Sequence, residues 1–236
     1  MNLEKRITKS LERTKQNIIH EEELKLIEIY ECFDPLISIK KNTDFSIKMK
    51  PIRLEYAGEN DLYARKKIIE MLKQAKNHLP KNLNFIIFDA YRPIAYQQMR
   101  FETILNKIKS NKPELSYDEA RKEAFIYVFP PSNNPKTPPP HSTGGAIDLG
   151  LIDLQGNELD MGCEYGIFND ATYTNNMLIS TNQKENRKLL LTAMIKAGFT
   201  NYPGEWWHFS YGDREWAAYE NKEKAIFGRA DLLNRK

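Results

Sequence analysis

A proline-rich segment, residues 130–140, constrains the fold of this 236-residue chain more than any other feature of its sequence. The segment reads PPSNNPKTPPP and has proline at six of its eleven positions. Proline fixes φ at about −65° and lacks an N–H, so neither a helix interior nor a central strand can pass through it. An interdomain linker can have this composition. We predict instead an ordered, polyproline-like loop that shapes a cleft, because the segment leads directly into the unusual stretch HSTGGAID.

Helix and strand patterns precede this segment. Apolar residues recur at helical spacing after Asp61, which predicts a helix that ends before Pro80. The short apolar run NFIIFD predicts a buried strand that ends at Asp89. A second helix is predicted with Pro93 in its first turn, where the missing N–H costs nothing. A capping-box pattern at Ser116 predicts the start of a third helix.

Further elements follow the proline-rich segment. GAIDLGLIDL predicts a strand with a turn at residues 155–157, ENRKLLLTAMIKAGF predicts a helix closed by Gly198, and the aromatic run WWHFSY predicts a strand. Strands and helices alternate irregularly, which indicates an α+β fold. We predict a peripheral, helical N-terminal arm over residues 1–25 and a single domain over residues 26–236.

Composition narrows the class of protein. The chain is 41% hydrophobic and 28% charged, which is typical of a globular protein. Its 35 basic and 32 acidic residues are interspersed, so we expect neither nucleic acid nor membrane as a partner. The basic start is followed by the acidic HEEELK rather than by an apolar stretch, which argues against a signal peptide. Two cysteines cannot form a disulfide framework. We therefore expect a cytoplasmic protein, and the oligomeric state stays open.

The four histidines have very different surroundings. His20 and His78 lie in helical, lysine-rich contexts and are expected at the surface. His141 opens HSTGGAID and is followed seven residues later by Asp148, with two glycines between them. A histidine and a carboxylate separated in this way can converge, because glycine accepts the backbone angles of a sharp turn. A hydrogen-bonded turn and a metal site are both compatible with this spacing.

A second unusual stretch, YPGEWWHFSYGD, places Glu205 three residues before His208. A catalytic zinc site needs three nitrogen or oxygen ligands and one open position, which His141, Asp148 and His208 would supply. On its own, Glu205 would be read as a surface carboxylate. Arg92 is a further candidate, because it follows the buried strand in DAYRP. The helical signature HExxH is absent, so such a site must be built from strands and loops.

Together, FDAYRP, HSTGGAID and GEWWHFSYGD resemble the zinc D-alanyl-D-alanine dipeptidases of the vancomycin-resistance type, over roughly residues 50–228. Each motif is weak alone, but the three in this order are specific. The resemblance implies an α+β domain with a small central, mostly antiparallel sheet flanked by helices, of the type shared by D-Ala-D-Ala peptidases and the zinc-bearing domain of Hedgehog proteins. It also implies a hydrolase of cell-wall metabolism that cleaves the free D-Ala-D-Ala dipeptide.

Position by position, the resemblance makes His141, Asp148 and His208 the ligands of one zinc ion per chain. It makes Glu205 the catalytic carboxylate and Arg92 the arginine of the family motif. The chemistry agrees, because a carboxylate three residues before a ligand can take a proton from water at the metal and pass it to the leaving amine. Arg92 can donate two N–H groups to the oxyanion.

The three-residue spacing between Glu205 and His208 also requires a local irregularity of the backbone. In a regular strand, Trp206 and His208 would share one face while Glu205 and Trp207 share the other. We therefore predict a turn or bulge near Glu205 that brings the base and the ligand together.

Two positions depart from the family pattern. Pro139 stands where a serine is usual, and Gly166 stands where relatives carry an aspartate that receives the substrate ammonium. We expect Glu164 or Asp170 to take over this second role. If neither does, a carboxypeptidase acting on longer cell-wall peptides is the alternative. A zinc-stabilised binding domain without activity is a further alternative, but the intact base and arginine argue against it.

Overall fold

The structure is a computed structural model that describes residues 2–57 and 61–231. Over these residues the chain forms short and long strands interspersed with helices. The strands are β1 (Glu28–Ile29), β2 (Leu36–Ser38), β3 (Ser46–Ile47), β4 (Tyr63–Arg65), β5 (Leu83–Asp89), β6 (Ala146–Asp153), β7 (Thr200–Asn201), β8 (His208–Ser210) and β9 (Lys224–Ala225). The α-helices are α1 (Leu3–Glu12), α2 (Glu21–Lys25), α3 (Ile39–Asn42), α4 (Pro51–Ala57), α5 (Lys66–Lys76), α6 (Ile94–Asn111), α7 (Tyr117–Phe125), α8 (Thr181–Lys196) and α9 (Arg214–Tyr219).

A five-stranded sheet forms the centre of the fold, with strand order β3-β5-β6-β8-β7. Only the pairing of β3 with β5 is parallel, and the other three pairings are antiparallel. Two small two-stranded sheets, β1-β9 and β2-β4, lie outside it. The predicted α+β class with a small, mostly antiparallel central sheet is therefore confirmed.

The two long central strands form because their residues are apolar on both faces. In β5, six of seven residues are buried, and in β6 seven of eight are buried. Helix α5 packs against α8, and α8 also packs against β6. Their side chains join one apolar cluster with the sheet, including Leu72 of α5, Met194 of α8, Phe85 of β5 and Leu149 of β6. This core holds rigid the strand ends that carry the polar residues described below.

Most predicted elements are present, with two corrections. The helix expected after Asp61 begins only at Lys66, because residues 63–65 pair with β2 as strand β4. The strand expected over WWHFSY is confined to His208–Ser210. Trp206 and Trp207 lie in a turn before it, where Trp206 donates its backbone N–H to the carbonyl of Thr172 at 2.9 Å. Tertiary hydrogen bonds outweigh local strand preference at both places.

The proline-rich segment contains no helix or strand until the 3₁₀ turn Pro140–Thr143. It is not a free linker, because Pro130 and Pro138–Pro140 are buried. Arg214 of α9 donates to the carbonyl of Pro138 at 3.4 Å. The segment is the ordered loop that the sequence predicts, and it delivers His141 directly to the end of the central sheet.

The predicted N-terminal arm contains helices α1 and α2. Helix α1 packs against α8. The buried Arg13 donates to the hydroxyl of Thr200 and to the backbone carbonyls of Asn201 and Tyr219, at 3.2–3.3 Å. The division of the chain into this arm and one domain stays a prediction. Over the described residues, no helix combines the length and hydrophobicity that a membrane span requires.

Candidate active site

Three polar side chains stand in one row across the central sheet. Asp148 of β6 is the register partner of His208 on β8 and, on the other side, of Asp89 at the end of β5. A register shift between Ile87 and Asp89 brings Asp89 into this row. Directly opposed residues of neighbouring strands project to the same face. Strand pairing therefore places Asp148 next to His208, although the two are far apart in sequence.

His141 reaches this row from the 3₁₀ turn at the end of the proline-rich loop. The turn ends at Gly144, whose φ of 74° lies in the left-handed region that favours glycine. Nδ1 of His141 lies 2.7 Å from the carbonyl oxygen of Ala90. Because a carbonyl only accepts, Nδ1 carries the hydrogen and the lone pair is on Nε2. Nε2 lies 3.2 Å from Oδ1 of Asp148 and 3.2 Å from Nδ1 of His208.

His208 is oriented in the same manner by Glu215 of α9. Its Nε2 lies 3.0 Å from Oε2 of Glu215, and its Nδ1 lies 3.0 Å from Oδ1 of Asp148. With Nε2–H donating to Glu215, the lone pair of His208 also faces Asp148. Two imidazole lone pairs and one carboxylate oxygen then converge on one point. Such an arrangement requires a positive charge between them, supplied by a proton or by a metal ion.

These three atoms fit a metal ion. Their separations of 3.0–3.2 Å are close to the roughly 3.3 Å between ligands that tetrahedral coordination at about 2.0–2.1 Å requires. His141, Asp148 and His208 are all buried and form a group that could hold a metal ion. The outward hydrogen bonds to Ala90 and Glu215 are the type that orient metal-binding histidines.

The charges of these three residues shift one another's pKa values. Burial lowers the pKa of His141, and the nearby Arg92 lowers it further. Burial also opposes protonation of His208, but the carboxylates of Glu215 and Asp148 outweigh it and hold the pKa of His208 well above its ordinary value. The pKa of Asp148 is well below its ordinary value despite burial, because both histidines stabilise its anion. Asp148 therefore stays anionic beside the two imidazoles, which is the charge that favours a cation at this point.

Glu205 lies beside this group, and the predicted irregularity near it is present. Its N–H donates to the carbonyl of Tyr202 at 3.2 Å, and its own carbonyl accepts from the N–H of His208 at 3.3 Å. This tight turn places Oε2 of Glu205 3.9 Å from Nδ1 of His208. Burial, together with the negative charge of Asp148, raises the pKa of Glu205 to about 8. Trp206 and Trp207 are both buried in the main core and hold the turn.

Arg92 is fixed by its neighbours rather than free in the cleft. Its Nε and one terminal nitrogen lie 3.1 and 3.0 Å from Oδ2 of Asp89, and the other terminal nitrogen donates to Oε1 of Gln97 at 2.8 Å. A guanidinium has five N–H groups, so two remain for another acceptor. Arg92 also lies 3.6 Å from Oδ2 of Asp148. Its position beside the candidate metal site is therefore rigid.

One cleft contains all five residues that the sequence singles out. Glu205, Arg92 and the three converging residues line it, together with residues 125–129. Arg100 of α6 and Tyr202 also line the cleft. By contrast, the other two histidines, His20 and His78, are exposed.

Several residues of the site could not be found from the sequence. Glu215 shares no short motif with His208, although it follows it by seven residues. Tyr165 donates its hydroxyl to Oδ2 of Asp148 at 3.2 Å, and Arg100 donates to the Tyr165 hydroxyl at 3.4 Å. Only the capping role of Asp213 at the start of α9 would have drawn attention to that helix.

The surroundings of Gly166 differ from the expectation that Glu164 or Asp170 takes over the role of the missing aspartate. Glu164 and Asp170 are exposed and do not line the cleft. The half-buried Lys50 lies next to Gly166 instead, and its Nζ donates to the carbonyl of Gly166 at 3.4 Å. A β-carbon on residue 166 would overlap Nζ of Lys50. Pro139 is buried immediately before the turn that carries His141.

The chain is similar to known proteins over most of its length. Residues 52–225 match a family model described as D-Ala-D-Ala dipeptidase. A D-alanyl-D-alanine dipeptidase of Synechocystis sp. is 33% identical over 235 residues, which cover 87% of this chain and 95% of that protein. A D-alanyl-D-alanine dipeptidase of Escherichia coli is 32% identical over 127 residues, 54% of each chain.

The chain also has a distant likeness to a solved structure. That structure is a point mutant of the vancomycin-resistance D,D-pentapeptidase VanY in complex with Zn(II), with a TM-score of 0.44 and 17% identity over 86% of this chain and 96% of that one. The resemblance that the three sequence motifs indicate is confirmed by the family match and by the Synechocystis relative. The chain belongs to the D-Ala-D-Ala dipeptidase family and is a peptidase of the hydrolase class.

Proposed function

We propose that this protein is a zinc peptidase that hydrolyses the free D-Ala-D-Ala dipeptide, with one zinc ion per chain held by His141, Asp148 and His208. The observation that carries the proposal is the convergence of two imidazole lone pairs and a carboxylate oxygen within 3.2 Å of one another. A buried glutamate lies 3.9 Å from this group. Membership of the dipeptidase family supports the choice of substrate.

Glu205 is the general base of the proposed reaction. Zinc in this site would supply a Lewis acid that polarises the peptide carbonyl and acidifies water. The Glu205 carboxylate accepts the proton of the attacking water and then donates it to the leaving amine as the peptide C–N bond breaks. Burial keeps this carboxylate more basic than an ordinary glutamate, since its pKa is raised to about 8 in the metal-free protein.

Arg92 stabilises the negative charge that develops on the carbonyl oxygen. Asp89 and Gln97 hold its guanidinium in place before substrate binds. Two N–H groups remain, one on the terminal nitrogen that lies 3.6 Å from Oδ2 of Asp148 and one on the nitrogen that donates to Gln97, and these can donate to the oxyanion. Such preorganised donors are worth about 10²- to 10³-fold in rate.

The test combines metal analysis with turnover. We expect about one zinc per chain in protein purified with zinc, and hydrolysis of D-Ala-D-Ala that stops when a chelator removes the metal. Glu205→Gln should keep zinc and lose activity, whereas the matched change Glu185→Gln on the exposed surface of α8 should affect neither zinc binding nor activity. Zinc-loaded wild-type protein that hydrolyses no D-Ala-D-Ala peptide would refute the proposal.

A D-Ala-D-Ala carboxypeptidase is the second candidate function. It is favoured by one observation: Lys50, rather than an acid, lies at Gly166, where a free substrate ammonium would be expected to bind. A lysine repels an ammonium group but not an acylated nitrogen. N-acetyl-D-Ala-D-Ala separates the two functions, because a carboxypeptidase uses it at least as well as the free dipeptide. The cytoplasmic location expected from the sequence stays a prediction.

A further inference from the structure

Two cations, Lys50 and Arg100, lie close to Tyr165 next to the candidate metal site. Nζ of Lys50 lies 5.3 Å from the centroid of the Tyr165 ring, and the guanidinium of Arg100 donates to the Tyr165 hydroxyl at 3.4 Å. The same hydroxyl donates to Asp148 at 3.2 Å. Both cations are therefore one side chain away from a proposed zinc ligand.

Neither cation has a carboxylate of its own among the residues that the structure describes. The two acids whose charges act on both cations have other partners. Asp89 pairs with Arg53 and Arg92 at 3.0–3.2 Å, and Asp148 faces the two histidines. Lys50 donates a long hydrogen bond to the carbonyl of Gly166 and otherwise contacts the uncharged ring of Tyr165. Burial and the neighbouring charge of Arg100 lower the pKa of Lys50, which agrees with two cations held near each other.

The backbone at Gly166 makes this arrangement possible. Its φ of 73° lies in the left-handed region, and a β-carbon at this position would overlap Nζ and approach Cε of Lys50 at 2.9 Å. The missing side chain leaves the space in which the lysine ammonium extends over Tyr165. Arg100 also lies over the rings of Tyr96 and Phe168, whereas the ammonium of Lys50 has no such additional partner in the described part of the chain and is near a second cation, so an anion between the two would relieve their repulsion.

We propose that Lys50 and Arg100 form a carboxylate-binding pair that positions an acidic group of the peptide substrate beside Tyr165. This inference rests on the proposed function, because it names the part of the substrate that the pair recognises. Arg100 lines the cleft and supplies a planar fork of donors for a carboxylate. Lys50 does not line the cleft but lies over the ring of Tyr165, so it supplies a second charge to a carboxylate that reaches this tyrosine. The carboxylate is either the C-terminal group of the peptide or an acid attached to its amino side.

The test is a set of four substrates that differ only at their two ends: D-Ala-D-Ala, its C-terminal amide, and its N-acetyl and N-succinyl derivatives. Lys50→Met keeps the length of the side chain and removes the charge. Lys48→Met is the matched control, because Lys48 is exposed and pairs with Glu158 rather than facing Tyr165. Values of kcat/KM are measured with zinc-loaded protein.

We expect Lys50→Met to lower kcat/KM about 10- to 100-fold for the substrate whose carboxylate meets the pair, and less than about twofold for its neutral counterpart. A loss on D-Ala-D-Ala but not on its amide assigns the C-terminal carboxylate. A loss on the N-succinyl but not on the N-acetyl derivative assigns an acid on the amino side. Arg100→Gln should show the same pattern. An equal loss on all four substrates indicates a structural role only and overturns the inference.

A binding measurement keeps this inference separate from the proposed function. If zinc-loaded wild-type protein cleaves none of the four peptides, the proposed function fails, and calorimetric dissociation constants for the same peptides then decide the inference. Weaker binding by Lys50→Met that follows the carboxylate supports it, and identical binding or no binding overturns it.

Discussion

Replacing Glu205 by glutamine should stabilise the metal-free protein at alkaline pH while abolishing activity with zinc. Glu205 is 8% exposed, and burial together with the charge of Asp148 raises its pKa to about 8 from an ordinary value of 4.5. Ionising this carboxyl inside the folded protein is therefore unfavourable. Glutamine has nearly the same shape and remains neutral at every pH, so it removes that cost.

Proton linkage gives the direction in which Glu205 changes the stability of the protein with pH. Between about pH 4.5 and pH 8 the folded protein holds a proton on Glu205 that the unfolded chain has released, so this group makes the protein less stable as pH rises. The folded and unfolded pKa values of Glu205 differ by about 3.5 pH units. At 1.36 kcal/mol per unit, ionised Glu205 lowers the free energy of unfolding above pH 8 by at most roughly 5 kcal/mol. We expect Glu205→Gln to raise the free energy of unfolding by only about 1–3 kcal/mol, because water that enters the cleft solvates part of the ionised carboxylate in the wild type.

The assay is denaturant unfolding of metal-free wild type and Glu205→Gln at pH 5 and pH 9. We expect similar stability at pH 5 and a clear advantage of the variant at pH 9. Zinc should reduce that advantage, because a nearby cation stabilises the Glu205 carboxylate. The exposed control Glu185→Gln should behave as wild type at both pH values. In parallel, hydrolysis by zinc-loaded Glu205→Gln should fall by about 10²- to 10⁴-fold.

Two results would refute this reasoning. If metal-free Glu205→Gln is no more stable than wild type at pH 9, the Glu205 carboxylate is not buried at a cost. If zinc-loaded Glu205→Gln retains activity within a few fold of wild type, the base is a different residue, and Asp89 becomes the next candidate.

Three further predictions concern the metal and the turn that carries His141. His141→Ala should reduce zinc well below one per chain by elemental analysis, whereas the exposed control His78→Ala should retain it. Glu215→Gln should weaken zinc binding by about 10- to 100-fold in competition with a chelator, because Glu215 orients the ring of the proposed ligand His208. Gly145→Ala should lower the free energy of unfolding by about 1–3 kcal/mol in denaturant titrations, because a β-carbon there would lie 2.5 Å from the carbonyl oxygen of Tyr211.

Long, strongly patterned segments were predictable from the sequence. NFIIFD and GAIDLGLIDL became β5 and β6, and the capping box at Ser116 starts α7 as expected. Local rules suffice for these elements because the apolar pattern and the capping side chain act within a few residues. The tight turn at Glu205 was predictable in another way: the family resemblance puts Glu205 and His208 at one site, and the two-residue period of a regular strand would put them on opposite faces.

Short elements were less predictable. β4 interrupts the expected helix after Asp61, and Trp206 and Trp207 lie outside β8. In both places the backbone hydrogen-bonds to a segment distant in sequence, so propensity read along the chain cannot show it.

The sequence by itself determined which reactive side chains this protein has: a histidine and an aspartate around two glycines, and a glutamate and a histidine around two tryptophans. Only the tertiary structure decided how they act. Strand register sets Asp148 opposite His208, the carbonyl of Ala90 and the carboxylate of Glu215 turn both imidazole lone pairs inward, and Lys50 reaches Gly166 across 116 positions of sequence. These contacts join residues far apart in the chain, and their geometry depends on the packing of the whole sheet rather than on any local pattern.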